Sequence, residues 1–322
     1  MTIHKLTKPR VLRAAIVGAG VFGRHHASKY LQVPGVKLEA VADPDLEARR
    51  AIENHLKVPV VADWRELLGK VDIVSVCSPA STHATIVRAF LNAGAHVLVE
   101  KPIATDLEEA EELIALAAAR GLVLTVGHQE RFVFAKSGLL EYEDAPLSIE
   151  CVREGTWTGR GTDVSVVLDL MIHDLDLIHR LVPGGLIDVR AMGRSVFGKL
   201  TDSVTANLTF DNGTEVELVA NRAADARRRS MRLTYPDGEI EIDFLTRSVT
   251  NTTDRKLQDL ELHDPLWESV AAFVTAARLG AASLVRPEEA CRALETALLI
   301  EDALVPAGEI LTAEGTSLRR TA

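Results

Sequence analysis

From Val11 to Gly127 short apolar runs alternate with helical stretches: VLRAAIVGAG, KLEAVAD, VDIVSVCSP, AHVLVEKP and GLVLTVGH, the last fed by an Ala/Glu/Leu-rich segment from Leu107 to Arg120. Continuous apolar strands separated by helices predict a parallel sheet covered on both faces, a doubly wound α/β arrangement. The periodicity changes after His128. IDVRAMGRSVFG, SVTANLTFDNGTEVELVANRA and RSMRLTYPDGEIEIDF alternate apolar with polar residues, with turn signals at Asp211-Asn212-Gly213 and Pro236-Asp237-Gly238. That pattern predicts an α+β unit with an open-faced, largely antiparallel sheet, one face left to solvent or a partner. Helices are expected near residues 164–182, over Asp264–Leu279 and over Pro287–Leu304, the last with proline in its first turn. The chain reads as two domains, residues 1–128 and 129–322, and no internal repeat or low-complexity linker separates them.

Composition narrows the class. A chain of 322 residues exceeds the usual single domain, and 47% hydrophobic with 25% charged residues is a globular balance. The basic start, MTIHKLTKPR, runs directly into a strand without the apolar stretch of a secretory signal, and no apolar run is long enough for a bilayer. A cytoplasmic location without membrane attachment is the expectation. Cys77, Cys151 and Cys291 lie far apart and form no CxxC pair, which points away from a disulfide framework or a zinc site, so no metal is expected. A net charge of −10 repels nucleic acid and anionic lipid. An anionic small substrate would need a locally basic site.

The first strand ends at Val17 and is followed by Gly18-Ala19-Gly20-Val21-Phe22-Gly23 and a helical stretch. Glycines in that position permit a tight turn and close approach of a pyrophosphate to the helix amino terminus; the bland alternative is a glycine-rich turn without ligand. Asp43 ends the second strand, twenty positions after Gly23, where a carboxylate accepts hydrogen bonds from adenosine ribose hydroxyls and repels a 2′-phosphate. NAD is therefore favoured over NADP. Arg49 and Arg50, nearby on the following helix, weaken that preference unless they are solvated.

Two further constellations carry candidate chemistry. Glu100-Lys101-Pro102 follows the strand AHVLV, placing Lys101 at the carboxyl edge where open α/β sheets bind ligands, although a lysine is ordinarily a surface residue. The segment Val164–Leu181 is apolar around most of its circumference, as a buried helix is, yet Asp169, His173, Asp176 and Arg180 recur at i, i+4, i+7 and i+11. That polar stripe is expected to face a cleft. A buried carboxylate–imidazole pair supplies general-base chemistry; a lone histidine would more simply be a satisfied core residue.

These motifs, together with Gly127-His128 and Arg131-Phe132, resemble in order and spacing the glucose–fructose oxidoreductase, inositol dehydrogenase and rhizopine catabolism (Gfo/Idh/MocA) family over nearly the whole chain. The resemblance implies an amino-terminal Rossmann domain and a carboxy-terminal substrate and oligomerisation domain. It implies Lys101 and His173 at the reacting alcohol with Asp169 beside them. It also implies Ser78, Pro79, His83, Glu100 and Lys101 along the cofactor, after Gly18, Gly20, Val21, Phe22, Gly23 and Asp43, and His128 and Arg131 near the substrate. Oxidising a secondary alcohol needs a near-neutral base on the hydroxyl and a cation for the developing alkoxide, which suits His173 and Lys101. Arg160-Gly161-Thr162-Asp163 and NRAADARRRSMR further resemble the UDP-N-acetylglucosamine 3-dehydrogenases that feed an aminotransferase in diamino-sugar lipid A synthesis. In that subgroup Arg160, Arg222 and Arg229 would meet a diphosphate. Asn221 departs from the serine expected there, and Arg227, Arg228 and Arg232 read better as a solvated basic hairpin.

Two other functions stay open. A dehydrogenase of a free polyol or aldose would leave the arginines without a diphosphate. A non-catalytic dinucleotide sensor would need the glycine loop and Asp43 but not Lys101, Asp169 and His173 together. A one-faced sheet further suggests a homo-oligomer, dimer or tetramer, paired through that face.

Overall fold

The computed structural model describes residues 10–159, 161–260 and 264–306. Its first part is a six-stranded sheet of β1 (Leu12–Val17), β2 (Val36–Ala42), β3 (Val60–Val61), β4 (Ile73–Val76), β5 (His96–Val99) and β6 (Leu124–Val126). All neighbours run parallel in the order β3-β2-β1-β4-β5-β6, so the sequence reverses direction between β1 and β4, the point where such sheets open a ligand crevice. Helices α1 (Val21–Tyr30), α2 (Leu46–Leu56), α3 (His83–Asn92) and α4 (Leu107–Arg120) cover the faces. Local chemistry fixes their ends. Asp106 caps α4 by accepting from Glu109 N at 3.1 Å, and Gly121 closes it in the left-handed conformation. By contrast α1 starts at Gly20 with no side-chain cap, leaving its first N–H groups free for an external acceptor.

The second part holds α5 (Glu130–Phe134), β7 (Ser148–Glu154), a π-helical turn over Val167–Met171 that runs into α6 (Ile172–Leu181), and then β8 (Leu186–Arg194) and β9 (Ser203–Phe210). After these come β10 (Glu215–Asn221), β11 (Arg228–Tyr235), β12 (Gly238–Asp243), β13 (Ser248–Asn251), α7 (Pro265–Leu279), α8 (Pro287–Asp302) and β14 (Leu304–Pro306). The strands form one sheet in the order β13-β12-β11-β7-β10-β9-β8-β14, antiparallel except at β7–β10 and β8–β14. The expected sheet is thus present but mixed. Strands β3, β7, β13 and β14 and the short α5 fall outside the sequence expectation, and the helix expected near 164–182 is the π turn followed by α6.

Along β7 and β10 the buried residues (Ile149, Cys151, Arg153; Val216, Leu218, Ala220) point to the side covered by α6 and α8, and Glu150, Glu215 and Glu217 lie exposed on the other. One apolar core continues from the first sheet through α6 into the second. A second core lies behind β1 and β2, where Val270, Phe273 and Val274 of α7 pack with Ile16, Tyr30 and Ile52. Fully burying each such side chain stabilises the fold by about 1.5–3 kcal/mol. The amino-terminal sheet is therefore closed by a helix from the end of the chain. No helix among the described residues is long and apolar enough to cross a membrane.

Candidate functional site

Backbone geometry explains the glycine loop. Gly18 has φ +98°, and a Cβ there would lie 2.5 Å from the Cys77 carbonyl oxygen; a Cβ on Gly23 would lie 1.8 Å from the Gly18 carbonyl oxygen. At Gly20 a Cβ would meet nothing within 4 Å, so the loop curls tightly and stays open on its outer side. Val21 and the exposed Phe22 form the first turn of α1 above it. Asp43, just past β2, is held against this loop: its Oδ2 accepts from Ala19 N at 2.6 Å and its Oδ1 from Asp45 N at 2.8 Å. A glycine cradle, an uncapped helix and an adjacent carboxylate fit a dinucleotide. Arg49 donates to the carbonyls of Asp43 and Pro44 at 2.7 and 2.9 Å, and Arg50 pairs with Glu47 on the surface.

Past β4 the chain turns through Ser78 and Pro79, with Ser78 Oγ 2.7 Å from Thr82 Oγ1. His83 lies buried between the carbonyls of Ser78 (2.9 Å) and Pro102 (2.7 Å), tying this turn to the cis Lys101–Pro102 bond; burial pushes its pKa down. Glu100 sits under Gly127, whose Cβ would come within 2.8 Å of the carboxylate. Its oxygen Oε1 meets His26 Nε2 at 2.8 Å and accepts from Gln129 Nε2 at 3.1 Å. Burial pushes the Glu100 carboxyl up, but the His26 hydrogen bond and the charges of His26 and Lys101 outweigh it, leaving the pKa lowered.

Lys101 and Asp169 meet across the two domains. The ammonium donates to the Asp169 carbonyl oxygen and to its Oδ1 at 3.0 Å. Gly161, at φ +62°, lies against the same carboxylate, since a Cβ there would be 2.6 Å from Oδ2. His173 follows at the start of α6. Burial, and then the charges of Lys101, Arg153, His128 and Arg229, drive its pKa well below the ordinary histidine value, so the ring rests neutral. His128 stands edge-on to it, ring centroids 6.3 Å apart and planes at 87°.

The rest of the expected stripe turns elsewhere. Asp176 is buried and held by Arg131 in a two-point ion pair (Nε–Oδ2 2.7 Å, Nη2–Oδ1 2.6 Å), and Arg131 also donates to Glu289. Arg180 reaches Glu289 at 3.3 Å on the surface. The stripe expected to face one cleft is divided, because Arg131 supplies Asp176 with a buried partner and Glu289 draws Arg180 to the surface. Arg222 is likewise committed: it donates to Asp202 Oδ1 (2.7 Å) and to the carbonyls of Gly161 (2.7 Å) and Val164 (3.0 Å), with its guanidinium 5.5 Å from the Trp157 ring centre. It fixes the loop carrying Gly161. Arg160 lies outside the described residues. Arg229, 3.5 Å from Glu130 and about a third exposed, is the less committed of the two described arginines, and its charge acts on His173. Arg227 and Arg228 line an open cleft of about 560 Å³ with Glu154, Arg194 and Asn221.

One group escaped the sequence reading. Arg153, 1% exposed, donates two hydrogen bonds to Asp174 (2.9 and 2.7 Å) and two to Glu130 (2.8 and 2.5 Å), directly beneath the residue next to His173. The only signal was a charge at the inward position of the alternating SIECVRE segment. Among the described residues no group of three or more His, Cys, Asp or Glu is placed to hold a metal, and the three cysteines are free.

Comparison with known proteins agrees with this geometry. Residues 12–128 match the family described as "Oxidoreductase family, NAD-binding Rossmann fold", and residues 142–241 match the "GFO/IDH/MocA C-terminal domain". A UDP-N-acetylglucosamine 3-dehydrogenase of Acidithiobacillus ferrooxidans is 36% identical over 239 residues, 74% of this chain and 76% of that protein. A solved structure of that organism's UDP-N-acetylglucosamine 3-dehydrogenase superposes with a TM-score of 0.83 at 32% identity, covering 91% of this chain and 97% of the other. Scyllo-inositol dehydrogenase from Lactobacillus casei, solved with NAD(H) and scyllo-inositol, shares the fold with a TM-score of 0.77 at 21% identity, over 92% of this chain and 97% of that one. The crevice at the sheet reversal, the glycine cradle and the Lys101–Asp169–His173 meeting point thus lie in a chain that belongs to the Gfo/Idh/MocA family of NAD-binding oxidoreductases.

Proposed function

We propose that this oxidoreductase converts the C3 hydroxyl of UDP-N-acetylglucosamine to a ketone. The observation that carries the reading is the convergence of Lys101, Asp169 and a neutral His173 at the carboxyl edge of the parallel sheet; the similarity to the Acidithiobacillus ferrooxidans enzyme supports the choice of sugar. NAD, when bound, supplies the hydride acceptor. Gly18, Gly20, Val21, Phe22 and Gly23 hold its pyrophosphate at the start of α1, and Asp43 takes the ribose hydroxyls. Ser78, Pro79, His83, Glu100 and Lys101 line the nicotinamide end. His173 accepts the hydroxyl proton. An ammonium has three N–H donors, two of which serve Asp169, so Lys101 keeps one for the sugar oxygen and stabilises its developing negative charge. Asp169 holds that ammonium in place. His128 stands edge-on behind His173, and Arg229 is left to meet the diphosphate.

Residues 1–128 and 129–322 act as the cofactor and substrate domains of a cytoplasmic homo-oligomer. Free thiols suit a reducing compartment. Pairing through the open sheet face is supported by its charge: Arg194 and Arg228, with Glu154 beside Arg228, lie in the register row at one end of the strands, and Asp188, Glu215 and Glu239 in the row at the other. A two-fold axis across the strands would set each end against its opposite.

The test is incubation with NAD and, in turn, UDP-N-acetylglucosamine, UDP-glucose, myo-inositol and glucose, with a carbonyl reagent to trap product. The expected result is a trapped ketone from UDP-N-acetylglucosamine. A second reading, a free-polyol dehydrogenase, is favoured by the commitment of Arg222 to Asp202 and two carbonyls, and it prevails if only the free sugars are oxidised.

A further inference from the structure

Among the described residues, four buried side-chain polar atoms lack a hydrogen-bond partner, and three belong to two adjacent imidazoles: both ring nitrogens of His128, and Nδ1 of His173. Leaving a buried polar group unpaired costs about 1–3 kcal/mol, so three in one place ask for a role. With centroids 6.3 Å apart and planes at 87°, the rings stand too far apart for a direct nitrogen–nitrogen hydrogen bond, so a proton passing between them needs a carrier. His128 is 2% exposed and follows β6, its backbone N–H donating to Val126 O at 2.9 Å. Behind it Asp176 Oδ2 lies 3.8 Å from Nδ1. The charged and titratable groups around His128 are Asp176 and His173 from α6, Arg131 from α5, and Glu100 and Lys101 from the turn after β5.

We propose that His128 takes the substrate's proton from His173 through one bridging water, giving the alcohol proton an exit on the side of the ring away from the sugar. The inference rests on the reading of His173 as the base. As the hydroxyl O–H bond breaks, its proton joins His173 Nε2 while the hydride passes to the nicotinamide. The Nδ1–H bond of His173 then breaks toward the water, and the water gives another of its protons to the facing nitrogen of His128. His173 ends neutral with its proton on Nε2, and His128 ends as an imidazolium beside the Asp176 carboxylate. When product leaves, solvent takes the proton from His128 and carries the His173 proton from Nε2 back to Nδ1, restoring both rings for the next turnover. The direction of transfer follows from the surroundings. Burial lowers the pKa of both rings; around His173 the charges of Lys101, Arg153, His128 and Arg229 add to it, whereas at His128 the Asp176 carboxylate, 3.8 Å from Nδ1, works against burial, Arg131 and Lys101. His128 acts through His173 and not on the sugar.

The test uses the full chain with NAD and UDP-N-acetylglucosamine, comparing His128→Gln and His128→Ala with the unaltered protein. In both, kcat is expected to fall about tenfold to hundredfold, the scale of a lost proton-transfer partner, while the sugar KM and the NAD Kd change less than about twofold. The dependence of kcat on deuterium fraction is expected to straighten from bowed to linear, and added imidazole to restore turnover to His128→Ala. In cofactor-free protein the ¹⁵N resonances of the His173 ring are expected to shift in His128→Gln. Unchanged kcat in both variants, His173 resonances that do not move, or a kcat loss accompanied by equal losses in NAD affinity would overturn the relay. Retained turnover in His173→Ala would instead overturn the assignment of the base.

Discussion

Replacing Arg153 with leucine removes the one cation that binds both the half-buried Glu130 of α5 and the buried Asp174 of α6. Four charge-assisted hydrogen bonds vanish together: Nε and Nη2 to Asp174 at 2.9 and 2.7 Å, Nη1 and Nη2 to Glu130 at 2.8 and 2.5 Å. Glu130 keeps Arg229 at 3.5 Å, but Asp174 is 3% exposed and loses its ion-pair partner. Breaking a buried pair from one side costs about 3–5 kcal/mol. At about 2 °C per kcal/mol for a chain this large, the melting temperature should fall by roughly 6–10 °C. The pH dependence identifies the cause. Burial already holds the Asp174 carboxyl above its usual range, and without Arg153 it rises further. An acid whose folded pKa lies above its unfolded value adds stability while protonated and loses it as pH rises, so the deficit should be small near pH 5 and grow toward pH 8. Melting curves of Arg153→Leu and Arg153→Leu/Asp174→Leu across that range measure it, and the double variant should recover part of the loss. A deficit under about 1 kcal/mol, or one that does not vary with pH, refutes the argument.

Asp43→Ala should weaken NAD binding about tenfold and leave NADP nearly unaffected, because the carboxylate beside Ala19 is what ribose hydroxyls meet and a 2′-phosphate avoids; calorimetry with both cofactors decides it. Lys101→Ala and His173→Ala should each keep most of their NAD affinity and lose about 10²-fold or more in turnover, and near-normal rates would show that the roles are misassigned. Histidines held neutral by burial make the fold acid-sensitive. The unfolded chain takes up protons near pH 6.5 that His179, pushed down to about 4, refuses in the native state, so its contribution is whole above pH 6.5 and lost as pH falls toward 4. His179 alone accounts for on the order of 3 kcal/mol across that window, and a melting temperature independent of pH there would contradict it.

The Rossmann half was readable because its buried strands are uninterrupted apolar runs, each ending where glycine or a charged residue begins the next turn. The second half was readable only where one face is polar. Strand β7 was missed because Arg153 occupies an inward position, and nothing within SIECVRE announces the two carboxylates, 21 and 23 positions away, that make burial tolerable. The same difficulty recurs with Arg131 and Arg222. A sequence shows an arginine's charge but not Asp176 or Asp202, which claim it; a diphosphate and a carboxylate draw the same fork-shaped partner. The i, i+4 spacing of Asp169 and His173 correctly brought those two near Lys101. It failed beyond them, inside the regular turns of α6, where Arg131 claims Asp176 and Glu289 claims Arg180, partners that spacing along a helix does not show.

The position of α7 bears on how the chain is made. Tyr30, Ile52 and Ile16 cannot be covered until Val270, Phe273 and Val274 exist, and these follow β6 by roughly 150 residues. At about 5–20 residues per second on the ribosome, the amino-terminal sheet waits roughly 7–30 s with one apolar flank bare. During that interval the flank is available to chaperones and to other nascent copies. A gene fragment ending after β6 would never leave that state, so transplanting this cofactor domain into another protein requires carrying α7 along with it.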